Sequence, residues 1–256
     1  QVFISGEIKN APAKSEVNIT CFKSDIENLR ISVVKTKLDE NGKFKLIFSF
    51  DKPNVANIEI GSQYAEMFLV SKDSFHITAD FTKFNETLHY IGKGAADNNY
   101  MAADMLADFD AKANRDAAFT DADKFKSYID SLENVNWGLF KGHDTPELTA
   151  EFRKYITTSI KYRYIVPRWW FRIGYDKVTK KYFAKSIPES YFDFLKTLDL
   201  NDQQAACNIY YNGALDRYLN EVDMKIEIPD SLPEFQKTEM RFMENYNYRK
   251  SIFKGD

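Results

Sequence analysis

The stretch Leu88-His89-Tyr90-Ile91-Gly92-Lys93-Gly94-Ala95-Ala96-Asp97-Asn98-Asn99-Tyr100 divides the chain into two kinds of pattern. Before it, apolar residues recur at every second position, the period of a half-buried strand. After it, they recur at every third or fourth, the period of a helix face. Gly92-Lys93-Gly94 follows a strand pattern and precedes a helix pattern, where a dinucleotide-binding fingerprint would sit. The third small residue of that fingerprint would fall at position 97, which is Asp97, and a carboxylate there would repel a pyrophosphate. No βαβ unit follows. The stretch therefore reads as a joint, with two glycines releasing the chain from a sheet and Asp97 as N-cap of the first helix.

Upstream, Val2, Ile4 and Ile8 alternate with Phe3, Ser5 and Glu7, and Gly6 marks a bulge. Strand patterns continue over Val17 to Phe22, Ile31 to Leu38, Phe44 to Phe50, Ala56 to Ile60, Tyr64 to Val70, Phe75 to Phe81 and Thr87 to Ile91. Asn41-Gly42 supplies a turn, since both residues tolerate positive φ. Such a series of short strands predicts an antiparallel β-sandwich or barrel over residues 1–91.

Downstream, residues 92–256 predict an all-helical domain of about six helices, which makes the chain α+β. The first helix carries Met101, Met105 and Phe109, and the second Phe125, Ile129, Leu132 and Leu139. Thr145-Pro146 signals the start of a third, through Leu148, Phe152, Ile156 and Ile160 and stopping before Pro167. A short helix runs from Pro188 to Leu198. Asn201 with Gln204 caps the next, along Cys207, Tyr211, Leu215, Tyr218 and Val222. Ser231 and Glu234 form a capping box for the last, along Phe235, Phe242, Tyr246 and Phe253.

The 256 residues carry a net charge of −3, no field suited to nucleic acid. No run approaches the ~20 apolar residues of a membrane span. With 21 Phe and 15 Tyr, core burial relies on rings. Gln1 in place of an initiator Met fits either a removed export signal or a trimmed chain. Cys21 and Cys207 form no Cys-x-x-Cys pair and read as buried free thiols.

Few residues carry chemistry in this pattern. His76 and His89 lie on successive strands, and a hairpin centred near Phe84 places His76 opposite about position 92, too far from His89 for a shared metal. His143-Asp144 has no nucleophile the sequence can nominate, and Asp104 to Asp123 lack the glycine and terminal Glu of a calcium loop. Arg168, Trp169, Trp170 and Arg172, within an aromatic run from Tyr162 to Tyr182, are the candidate partner-binding residues. Arginine and tryptophan together can grip a glycan, a peptide or an anion, although the same run would serve as an aromatic plug. No catalytic, metal or cofactor residues are nominated.

Several pieces recur in a familiar order: Phe3-Ile4-Ser5-Gly6-Glu7-Ile8, Asn41-Gly42-Lys43-Phe44, Phe68-Leu69-Val70-Ser71-Lys72-Asp73-Ser74-Phe75-His76-Ile77, Leu88 to Ala95, and Asn98-Asn99-Tyr100. Together they resemble the N-terminal region of TlpA-like cell-envelope thiol-disulfide oxidoreductases of Bacteroides-type bacteria. In that family a signal or lipoprotein peptide precedes a β domain and a helical segment, and a thioredoxin-like domain with Cys-x-x-Cys follows. The family's Pro-Gly-Asp turn appears here as Ser71-Lys72-Asp73, without the glycine. The sequence ends at Phe253-Lys254-Gly255-Asp256, where relatives enter the thioredoxin-like domain, so no catalytic cysteine carries over. The resemblance implies a non-catalytic module in the periplasm or cell envelope, with a lipid anchor upstream. Its partner would be a C-terminal thioredoxin-like domain or an envelope protein substrate. The alternative is a stand-alone envelope protein that binds a glycan or peptide.

Overall fold

The computed structural model describes residues 1–22, 30–111, 122–171, 187–206, 208–223 and 226–253. The chain is α+β and forms two compact units, one of residues 1–115 with 132–157, the other of residues 116–131 with 158–256.

The first unit holds eight strands: β1 (Val2–Lys9), β2 (Glu16–Phe22), β3 (Arg30–Lys37), β4 (Lys43–Phe48), β5 (Asn54–Ile60), β6 (Gln63–Leu69), β7 (Ser74–Asp80) and β8 (His89–Lys93). They form two four-stranded sheets, ordered β4-β1-β7-β8 and β3-β2-β5-β6, open rather than closed into a barrel. The inward rows meet in one core that includes Ile4, Phe44, Ile77 and Tyr90 with Ile19, Ile58 and Met67. Each such apolar side chain contributes roughly 1.5–3 kcal/mol on burial.

Three local expectations change. The β4-β1-β7-β8 sheet is mixed, because β1 pairs antiparallel with β4 but parallel with β7, whereas the β3-β2-β5-β6 sheet is antiparallel throughout. Gly6 makes no bulge: β1 runs through it in register, and a side chain there would strike the Phe44 ring. The 39–42 turn carries the chain from one sheet to the other. It is organised by Asp39, whose Oδ1 accepts from the Asn41 and Lys43 amides at 2.8 Å, and Gly42 supplies the positive φ of 72°.

A single helical turn, Phe84–Thr87, precedes β8, and helix α1 (Ala95–Ala111) follows it. Two asparagines join α1 to both sheets. Asn98 Oδ1 accepts from the Phe68 amide at 2.9 Å, and its Nδ2 donates to the Phe68 carbonyl at 3.1 Å. Asn99 makes the same pair of bonds with Tyr90, each at 2.9 Å. Phe68 lies on β6 and Tyr90 on β8, the edge strands of the two sheets. A side-chain amide has the donor and acceptor of a peptide group, so each asparagine continues a ladder where an edge would otherwise be unpaired.

Helices α2 (Ala122–His143) and α3 (Ala150–Arg163) each contribute to both units. In the first unit, Tyr100 packs edge-on against Phe140 and Phe152, and Phe68 stacks on Tyr155. The cap of α3 is Thr149 rather than Thr145: its Oγ1 accepts from the Phe152 amide at 3.1 Å.

The second unit adds helix α4 (165–171), a 3-10 helix (Glu189–Thr197), α5 (Ile209–Asp223) and α6 (Glu234–Ile252). Pro167 therefore lies in the first turn of a helix, where its missing amide proton is no loss. Asn208, not Asn201, caps α5, accepting from the Tyr210 and Tyr211 amides at 3.0 and 3.3 Å. Helix α6 begins after Pro233 with no side-chain cap, so the Ser231 capping box does not form.

Candidate functional site

In the second unit the structure separates the predicted Arg/Trp residues. Trp169 is 4% exposed and donates through Nε1 to Glu221 Oε2 at 3.2 Å, whereas Trp170 is 42% exposed. The two rings meet edge-on at 6.3 Å. The Arg217 guanidinium, from α5, lies 5.0 Å from the Trp169 centroid and 5.5 Å from that of Trp170. Arg168 pairs with Asp130 at 2.6 Å. Burial raises the Asp130 carboxyl, but bonds from Lys126 and Arg168 outweigh it and hold the group below the usual range. Arg172 lies outside the described residues. Two of the four are thus placed as fold-holding groups, and Trp170 is the exposed one, with the half-buried Arg217 against its ring.

In the first unit the joint occupies its own glycine-lined turn. Gly92 and Gly94 have φ of 122° and 87°. A Cβ at Gly92 would lie 2.5 Å from the Ser74 carbonyl oxygen, and one at Gly94 2.6 Å from the Asp73 carboxyl carbon. The space a phosphate would need beside Gly94 holds a carboxylate. Asp73, 1% exposed, accepts from the Val70 amide at 2.7 Å, and burial pushes its carboxyl up to about 6. Asp97 lies within the first turn of α1 and does not serve as its N-cap. Its carboxylate accepts from the Thr149 amide at 2.9 Å and hydroxyl at 2.6 Å, and burial raises it too. A cavity of about 680 Å³ adjoins, lined in part by Asp73, His89, Lys93, Asn99, Glu147 and Thr149. Both buried acids are engaged in the fold: Asp73 closes the 70–73 turn, and Asp97 ties α1 to the start of α3.

The outer face of the β4-β1-β7-β8 sheet carries an arrangement the sequence did not suggest. Strand register aligns Lys45, Ser5, His76 and Ile91 in one row across it. Ser5 Oγ lies 2.9 Å from His76 Nδ1. A serine–histidine pair is therefore present, made by residues 71 positions apart and joined by the parallel β1–β7 pairing. Phe3, Ile47 and Ile91 leave 41%, 48% and 59% of their surfaces exposed on this face. A shallow groove of about 380 Å³ runs between Phe3, Ser5, Lys45, His76 and Ile91. No protein-family model matches the chain, and neither does any curated protein or solved structure.

His76 stands opposite Ile91, and His89 opposite Thr78, so the two histidines lie in adjacent rows, closer than the hairpin estimate placed them. Among the described residues no group of three His, Cys, Asp or Glu could hold a metal ion. Cys21 is half-buried and free, and burial pushes its thiol up, away from reactivity. Cys207 lies outside the described residues. No helix among the described residues is long and apolar enough to cross a membrane.

Sequence reasoning missed Ser5 because its partner is distant in the chain. The only local signal was its outward position in an alternating strand, which Glu7 shares.

Proposed function

We propose that this chain is a non-catalytic module that positions a thioredoxin-like domain or that domain's protein substrate in the bacterial cell envelope. Export to the periplasm or envelope and a lipid anchor upstream of Gln1 belong to the same reading. The observation that carries it is helix α6. Its 19 residues include none that is buried, and Phe235, Phe242, Met243 and Tyr246 are 68%, 67%, 46% and 51% exposed. Phe242 and Tyr246 lie nearly parallel, with centroids 6.4 Å apart. Exposed large apolar side chains clustered on one element mark an interaction surface. A domain continuing beyond Asp256 would be tethered beside this helix. The reading that this domain is thioredoxin-like rests on the resemblance of the chain to the N-terminal region of TlpA-like oxidoreductases. Reading the coding sequence downstream of Asp256 tests the proposal: a thioredoxin-like domain with Cys-x-x-Cys supports it, and a stop codon or an unrelated domain overturns it.

One observation favours the second reading, an envelope protein that binds a glycan or peptide. Trp170 is exposed, and Arg217 lies against its ring. Titrating oligosaccharides and peptides against tryptophan fluorescence separates the two readings. A saturable change that Trp170→Ala abolishes supports the second, and a flat response removes it.

A further inference from the structure

We propose that the outer face of the β4-β1-β7-β8 sheet is a binding site for a hydrophobic carboxylate, an aliphatic or aromatic acid with a single anionic end. The apolar component is Phe3, Ile47 and Ile91, three large side chains exposed on one sheet face. Phe3 and Ile47 are directly paired across β1 and β4, and Ile91 lies in the next row, opposite His76. The polar component is the rest of the row that holds Ile91, next to the Phe3–Ile47 row. Ser5 and His76 hold each other at 2.9 Å, which orients a hydroxyl and an imidazole toward the groove at little further entropic cost. Lys45 stands opposite Ser5 in the same row.

Charge decides the sign of the ligand. Lys43, one row along, is neutralised by Glu7 at 3.7 Å. Lys45 has no carboxylate within ion-pair distance among the described residues and is left to meet an anion from outside. The groove volume of about 380 Å³ suits a small molecule. Two features argue for binding over acyl transfer. Ser5 lies within a ladder whose amides are spent on β4 and β7, so no free backbone donor is available for an oxyanion. Among the described residues no carboxylate orients the His76 ring, as a triad would require.

The test is an amide-shift NMR titration of the whole chain with octanoate and, separately, octanamide. These probes share an apolar tail and differ in charge. Octanoate should shift the amides of Phe3, Ser5, Lys45, His76 and Ile91 and bind about fivefold more tightly than octanamide. Lys45→Ala should erase that difference while leaving octanamide binding unchanged, and Phe3→Ser should weaken both probes. Each is a surface change, and unaltered shifts elsewhere in the spectrum establish that the variants fold. Equal affinity for the two probes would overturn the charge assignment and with it the proposal. Shifts confined to other residues, or none at millimolar octanoate, would do the same.

Discussion

Helices α1 and α6 are of similar length, 17 and 19 residues, yet they are attached in opposite ways. Helix α1 is joined to the sandwich by buried polar contacts, with Asn98 fully buried and Ala95, Tyr100, Met101 and Ala102 packed beneath it. Helix α6 has no fully buried residue. It is held by the Tyr218–Tyr248 hydroxyl contact at 2.6 Å, Asn245 to Asp223 at 3.1 Å, and Asn201 to the Ile252 carbonyl at 3.0 Å. The difference separates two uses of an amphipathic helix. One fills a core and closes two sheet edges. The other presents its aromatic stripe outward, where a partner can take it.

The comparison can be broken most sharply at Asn98. Asn98→Ala strands the buried Phe68 amide and carbonyl and should cost about 3 kcal/mol of unfolding free energy, measured by urea denaturation. A loss below about 1 kcal/mol would mean that the Asn98 bonds contribute little to holding α1.

The next effect is in pH. Asp73 has a folded value of about 6 against an ordinary 3.8, raised by burial. The folded state therefore holds the proton more tightly. Its contribution is complete below the unfolded value and is lost as pH rises through the folded one. Asp73→Asn keeps an acceptor for the Val70 amide and removes the titration. Its stability relative to the parent chain should rise by about 2 kcal/mol between roughly pH 4 and pH 7, and a flat difference would show that the carboxyl is solvated.

A smaller gain is expected in the same loop. Lys72 has φ of 72°, a conformation that glycine adopts without strain. Lys72→Gly should stabilise the chain by about 0.5–1 kcal/mol in the same urea assay, and destabilisation would refute the strain.

The smallest stability effect belongs to α6. Phe242→Ser with Tyr246→Ser should change unfolding free energy by less than about 0.5 kcal/mol, because neither ring is buried. If the proposed thioredoxin-like domain follows, the same variant should abolish its docking, read as independent tumbling in NMR relaxation. A large loss of stability would return α6 to the core.

Much of the fold was legible because periodicity reports burial directly. Phe44, Leu46 and Phe48 alternate and are buried, so that strand and its inward face followed from sequence alone. Parallel pairing of β1 with β7 did not, since it depends on which strand comes to lie beside which. The helix caps were misplaced for a related reason. Thr145 and Asn201 are good capping residues, but Thr149 and Asn208 lie where the helices begin, and Asp97 is drawn away to Thr149. The Arg/Trp cluster was partly legible: its residue types pointed to contact, but burial of Trp169 and exposure of Trp170 depend on how α5 packs.

By itself, the sequence determined the change from strand to helix at Gly92-Lys93-Gly94, the α+β class and the lack of a Cys-x-x-Cys pair. These follow from local periodicity, backbone freedom and residue inventory. Tertiary structure decided what each stripe faces. Phe242 and Tyr246 repeat at the same helical spacing as Phe152 and Ile156, yet the first pair is exposed and the second buried. A repeat of apolar side chains specifies a face, and only packing specifies whether that face meets the core. The meeting of Ser5 with His76 was decided at the same level, by a register between strands 71 residues apart.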